Sequence, residues 1–280
     1  MINANSALAR AFYEQGRLDN VPIIDFHAHM GALPGGYLPA SDYRAMVAAM
    51  DRAGVALLLG VSHPALYMPR VGEELNIEAA RAFPGRIFAY HGVLSRNFDT
   101  EDVIRRIEAH PDVYVGLKFH SDTHRVAIDD ARHAPLMAYA NQRQLLALCH
   151  TWGDSAYNGV ANLERVAARY PDITFVCGHA FHGRWREGIQ MARDYPNLYM
   201  ELTAVADDRG AIEMLCEGLG SHRVLFGVDQ PWFSYHHGIG AVLSADISDE
   251  DRLNILTRNG QRLLARQGNP ARARVAALAG

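Results

Sequence analysis

Eight short runs rich in β-branched, aliphatic and aromatic residues recur along this chain, at about residues 21–26, 55–61, 86–93, 113–119, 145–150, 173–179, 198–203 and 223–228. Their starts lie about 25 to 34 residues apart. The runs are apolar on both faces, as strands are when layers cover both sides of a sheet. The intervals carry helical spacing instead. After Ser41, the residues Tyr43, Met46, Val47 and Met50 fall at i, i+3, i+4 and i+7, and Gly54 follows as a stop signal. Leu163, Val166, Ala167 and Tyr170 repeat the pattern, closed by Pro171. Strand and helix alternating eight times predicts parallel strands under a layer of helices, and eight such units close into a (β/α)8 TIM barrel, an α/β fold. The competing doubly wound open sheet announces itself by a glycine-rich phosphate loop after its first strand. Here that position reads VPIIDFHAH.

No Pro/Ser-rich linker, low-complexity tract or change of composition interrupts the 280 residues, so a single domain over 1–280 is expected, with the barrel at about 21–265. About 20 residues precede the first run. A last helix is predicted from about Ser248 to Arg266, followed by NPARARVAALAG. These short N-terminal and C-terminal extensions are expected to cover the barrel floor or a neighbouring subunit. Charge is nearly balanced, 27 Lys plus Arg against 31 Asp plus Glu, with no basic run to track phosphates, so nucleic acid is not an expected partner. No apolar stretch approaches the roughly 20 residues a membrane span needs, and the opening MINANSALARAFYEQG lacks a signal-peptide core. A cytoplasmic protein is the expectation. Cys149, Cys177 and Cys216 cannot all pair, and they read as buried reduced thiols.

In such a barrel the chemistry collects at the C-terminal ends of the strands. His27 and His29 share one face of the first strand, because side chains two apart point the same way. Three further runs end in a metal-capable group, at ALCH (His150), TFVCGH (His179) and VLFGVD (Asp229). Imidazole nitrogens and a carboxylate oxygen are a usual ligand set for zinc or a similar divalent ion. His63, His91 and His120 also close predicted strands, while His124, His182, His236 and His237 fall in the loops that follow. Each of the three tryptophans, Trp152, Trp185 and Trp232, comes soon after a candidate ligand. They suggest an aromatic mouth suited to a flat or ring-bearing substrate, or a contact with another subunit. Arg125, Arg184 and Arg186 lie in rim loops where they could hold a carboxylate.

These residues also carry a family resemblance. The start VPIIDFHAHM, the segments GLKFH, CHT, CGHA and FGVDQPW, and the closing ISDEDRLNILTRNGQRLL resemble, in order, the amidohydrolase superfamily and within it the amidohydrolase-2 branch of TIM-barrel metal-dependent hydrolases. The resemblance implies that His27, His29, His150, His179 and Asp229 are the metal ligands, with Asp229 also shuttling a proton. Lys118 matches a fourth-strand position that in some members is a carbamylated lysine bridging two metals, whereas many members of this branch hold one. One zinc ion per chain is the expected cofactor, with a second metal as the alternative.

The residues themselves suggest matching chemistry. A divalent cation lowers the pKa of a water to about 7. Asp229 would take its proton and pass it to the leaving group, and His179 could polarise the carbonyl. Lys118 and His120, two apart on one strand, should both face inward, where an unmodified ammonium would hold an anionic substrate group. Trp152 and Trp232 would border the substrate. The leading expectation is hydrolysis of a small lactone, amide or cyclic amide. The alternative implied by the same branch is nonoxidative decarboxylation of an aromatic or unsaturated acid; some of those enzymes replace the first histidine by Glu, and this chain keeps HxH. A metal-holding barrel without catalysis is the remote reading. A homo-oligomer acting on a small molecule is expected.

Overall fold

The computed structural model describes residues 6–279. Eight strands, β1 (Ile23–Met30), β2 (Val55–Ser62), β3 (Ile87–Val93), β4 (Tyr114–Phe119), β5 (Leu146–Trp152), β6 (Thr174–His182), β7 (Leu198–Glu201) and β8 (Val224–Leu225), pair in parallel and in sequence order. The seam closes between β1 and the segment after β8. Phe26 N–H donates to the Phe226 carbonyl at 3.0 Å, Asp229 N–H to that of His27 at 2.8 Å, and His29 N–H to that of Gln230 at 2.7 Å. The architecture is the single-domain (β/α)8 barrel expected from the eightfold alternation.

The local signals operate as read, with small shifts. The helix Tyr43–Ala53 is capped by Asp42 rather than Ser41, its carboxylate accepting the N–H groups of Arg44 and Ala45, and Gly54 ends it at φ 81°. Tyr170 terminates the helix Val160–Arg169. The eighth run is shorter as a strand than its apolar length suggests, two residues against about six, because the chain leaves the ladder after Leu225 to pass close to the barrel axis. Gly227 permits that approach: a Cβ there would lie 2.2 Å from Glu201 Oε1 and 3.0 Å from His27 Cβ. The last helix begins with a Ser248–Asp251 capping box but is not uniform. Asp249–Leu253 leads into a π-helical turn, Asn254–Arg258, and then Asn259–Leu264. Asn259 Nδ2 donates to the carbonyls of Ser221 and Val224, both at 2.7 Å, tying this helix to the start of β8.

The two ends of the chain do different jobs. Ala271 and Val275, on and before the helix Arg272–Ala279, are buried among Ile24, Leu57, Leu146 and Tyr199 from the N-terminal halves of the strands, and so seal the floor. The helix Ala7–Gln15 packs outside the barrel against Tyr235–Ser244. With the floor closed by apolar side chains, the opposite mouth is the accessible end. Cys149 and Cys177 sit opposite each other across β5 and β6, buried and unbonded, and Cys216 is also free. Among the described residues no helix is long and apolar enough to cross a membrane.

Candidate metal centre

His27 is held from three sides. Its backbone N–H donates to Asp25 Oδ1 at 2.9 Å within the bulged stretch of β1. Its ring Nδ1 lies 2.8 Å from Oε2 of Glu201, the last residue of β7. Its Nε2 lies 2.8 Å from Lys118 Nζ on β4. Glu201 is wholly buried and organises more than this one ring: Oε1 accepts the Thr203 N–H at 2.6 Å and its hydroxyl at 2.7 Å, and Oε2 lies 3.4 Å from the His179 amide. A carboxylate that only accepts hydrogen bonds keeps the proton on His27 Nδ1 and leaves the Nε2 lone pair facing inward. Reading the sequence did not single out Glu201. It stands inside the seventh apolar run, 198–203, as the one charged residue there.

Asp229 enters from the segment after β8. Its Oδ1 lies 3.3 Å from His29 Nε2 and 3.6 Å from His27 Nε2. Both Asp229 (φ 57°) and His179 (φ 70°) adopt left-handed backbone, together with Ala180 and Phe181. Such conformations cost non-glycine residues roughly 1–3 kcal/mol and gather at functional sites. The Asp229 turn is held by its N–H on the His27 carbonyl and by Trp232 N–H on its own carbonyl at 2.7 Å. One ligand atom from each of His27, His179 and Asp229 falls within 4.8 Å of the others. His29 Nδ1, His179 Nδ1 and Asp229 Oδ1 are buried without a hydrogen-bond partner. Orphaned atoms on His179 and Asp229, two of the three residues that converge, fit a divalent cation.

The other two expected ligands, His29 and His150, line the same cavity but are not among those three, and the His150 ring has neighbours of its own. It stacks on His120 with centroids 4.2 Å apart and meets His179 edge-on at 4.5 Å, while its Nε2 is 3.6 Å from Asp122 Oδ2. Lys118 is completely buried and is not among the residues that line the cavity, although its Nζ reaches His27, which is.

Burial sets the protonation states. It pushes His27, His29, His120 and His150 well below the ordinary imidazole value and His179 to about 3, the Lys118 charge adding to the effect, so these rings are neutral and have lone pairs to offer. Burial also raises Asp229 to about 7 against the opposing pull of Lys118, and lowers Lys118 to about 8 against the carboxylates of Asp229 and Glu201.

Above these groups opens a cavity of about 210 Å³ lined by His27, His29, His63, His120, His150, His179 and Asp229, with Leu33, Leu66, Tyr67 and Trp232 around the entrance. No lysine or arginine lines it. Trp232 donates its indole N–H to His63 Nε2 at 3.1 Å, and His63 Nδ1 faces the Gly31 carbonyl at 3.1 Å while its ring stacks on His29. Trp152 does not line the cavity itself but stacks on His182 at 4.3 Å and meets the lining His179 edge-on at 5.7 Å, and Trp185 meets the His182 ring edge-on at 5.4 Å. Arg184 is engaged by Asp154 and Glu187. His91 lies apart, 3.7 Å from Glu73.

Fold and site together define a TIM barrel that gathers imidazoles and a carboxylate at the C-terminal mouth. The chain belongs to the amidohydrolase family: the family model Amidohydro_2, described as Amidohydrolase, matches residues 24–266. Comparison with curated proteins finds no match. Among solved structures, the fold is shared with an uncharacterised TIM-barrel protein from Bordetella bronchiseptica (TM-score 0.71, 19% identity, covering 87% of this chain and 98% of that one). It is shared also with a dihydroxybenzoic acid decarboxylase from Polaromonas sp. JS666 with bound manganese and the inhibitor 2-nitroresorcinol (0.71, 17%, 89% and 99%). A third is 4-oxalomesaconate hydratase from Rhodopseudomonas palustris (0.62, 14%, 91% and 97%).

Proposed function

We propose that this protein is a metal-dependent hydrolase of a small, uncharged ring-bearing molecule such as a lactone, amide or cyclic amide. The observation that carries the reading is the cavity itself: donor atoms of His27, His179 and Asp229 converge at its base, and its lining has no side-chain cation to receive a substrate carboxylate. His27, His179 and Asp229 would hold the ion, with His29 and His150 adjoining. A divalent cation there supplies Lewis acidity and lowers the pKa of a water to about 7. Asp229 takes the proton from the attacking water and returns it to the leaving nitrogen or oxygen, as general base and then general acid. His179, neutral, orients the carbonyl when it is not held as a ligand. Trp232 and Tyr67 cover the ring, and Leu33 and Leu66 exclude water from its edge.

Nonoxidative decarboxylation is the second reading. It is favoured by the manganese-bound decarboxylase among the structural neighbours and by the aromatic entrance. It would leave the metal as the sole positive charge facing the substrate carboxylate. Product analysis on a panel of lactones, cyclic amides and hydroxybenzoic acids separates the two, since only decarboxylation releases CO2. Elemental analysis of protein purified without chelator should find about one divalent ion per chain, zinc by preference and manganese as the alternative. Replacing His27 and His29 together by Ala should abolish that binding, and a protein that neither contains nor takes up any divalent metal would overturn the proposal.

A further inference from the structure

We propose that Lys118 is a built-in competitor for the metal: its ammonium occupies the lone pair of His27 that a cation needs, so ion binding must displace it. The inference rests on the metal site proposed above. His27 Nδ1 is committed to Glu201 Oε2 at 2.8 Å, and Glu201 accepts from Thr203 as well, so the ring proton stays on Nδ1. That leaves one lone pair on the ring, at Nε2. Lys118 Nζ stands 2.8 Å from it. An imidazole nitrogen has a single lone pair and cannot serve an ammonium hydrogen and a metal ion at once. His27 is nevertheless one of the three residues whose ligand atoms converge.

Burial strengthens the competition. Lys118 and Glu201 are both fully buried, and Asp229 nearly so, which places one fixed cation among two carboxylates where water cannot replace it. The lysine therefore does in the metal-free protein what an ion would do: it satisfies His27 and offsets the two acids. The competing role and that of a carbamate bridging two metals predict opposite outcomes. A bridging lysine is a ligand, and its removal weakens binding; a competing lysine is an obstacle, and its removal strengthens binding. The sign of the change distinguishes them.

The test is calorimetric titration of zinc into the metal-free full-length protein and into Lys118→Met, a neutral side chain of similar length. The variant is expected to bind at least tenfold more tightly. Its metal-free form should melt at a lower temperature than the wild type, and zinc should raise its melting temperature by more. Equal or weaker zinc binding by the folded variant would overturn the competition and leave the metal site standing. Binding by neither protein would overturn both. If Lys118→Met does not fold, crystal structures of the wild type with and without zinc decide the question. Lys118 Nζ is expected beyond hydrogen-bond distance of His27 Nε2 in the zinc form, and a retained bond with zinc on His27 would refute the inference.

Discussion

Substituting Glu201 by Gln probes the centre at the residue on which its geometry depends most. Two donors of Thr203 converge on Oε1 at 2.6 and 2.7 Å, and one donor of His27 meets Oε2 at 2.8 Å. A carboxamide offers one acceptor oxygen and one donor nitrogen. Whichever way it turns, its NH2 faces an N–H. With the oxygen kept on Thr203, the amide nitrogen meets His27 Nδ1, and the ring avoids the clash only by moving its proton to Nε2, which removes the lone pair that faces the metal position. The lost hydrogen bond to a charged group is worth about 1.5–3 kcal/mol of stability, or a fall of several degrees in Tm for a domain of this size. Loss of a partner that orients a metal-binding histidine typically costs 10–100-fold in affinity, about 1.4–2.8 kcal/mol. Calorimetric zinc titration and a thermal melt of the same sample measure both. Zinc affinity equal to wild type in a folded Glu201→Gln protein would refute the claim that Glu201 sets the His27 tautomer.

Asp229→Asn keeps the shape of the side chain but cannot carry the proton, so kcat on a substrate identified by product analysis should fall roughly 10²-fold or more at matched metal content; unchanged turnover would remove Asp229 from the mechanism. Burial holds Asp229 near 7 in the folded metal-free protein, against 3.8 as the ordinary value, so between those limits the folded state keeps a proton that the unfolded chain has released. Stability from this group is complete below about pH 4 and is lost as pH rises through 7. Melts of the metal-free wild type should therefore decline from pH 5 to 7.5 more steeply than those of Asp229→Asn, and parallel slopes would contradict the assignment. Burial pushes the Cys149 and Cys216 thiols up to about 12, and Cys149 has no solvent access. A thiol reagent at pH 8 should leave Cys149 unmodified in the native protein and label it on unfolding, whereas rapid native labelling would show the strand pair β5–β6 to be open.

What the sequence determined by itself is the barrel and the identity of its chemistry-bearing ends. Apolar runs, helical spacing and stop signals such as Gly54 and Pro171 act within a dozen residues, so they are legible without knowing what packs where. His27, His29, His179 and Asp229 were visible for the same reason, since each ends an apolar run and parallel strands of a barrel all end at one mouth. Which of those side chains share a point in space was decided only in three dimensions. His27 meets Glu201 across 174 residues of chain and Lys118 across 91. Glu201 shows only as a charge inside an apolar run, which does not say what it meets, and no local pattern distinguishes Trp232 over the cavity from Trp152 beside it. His150 shares its signature with His179, and only the fold shows its ring stacked on His120 and edge-on to His179, with Nε2 3.6 Å from Asp122. Burial likewise depends on every neighbour at once, so the neutral imidazoles, the raised Asp229 and the contact of Lys118 with His27 follow from the closed barrel and not from any segment of it.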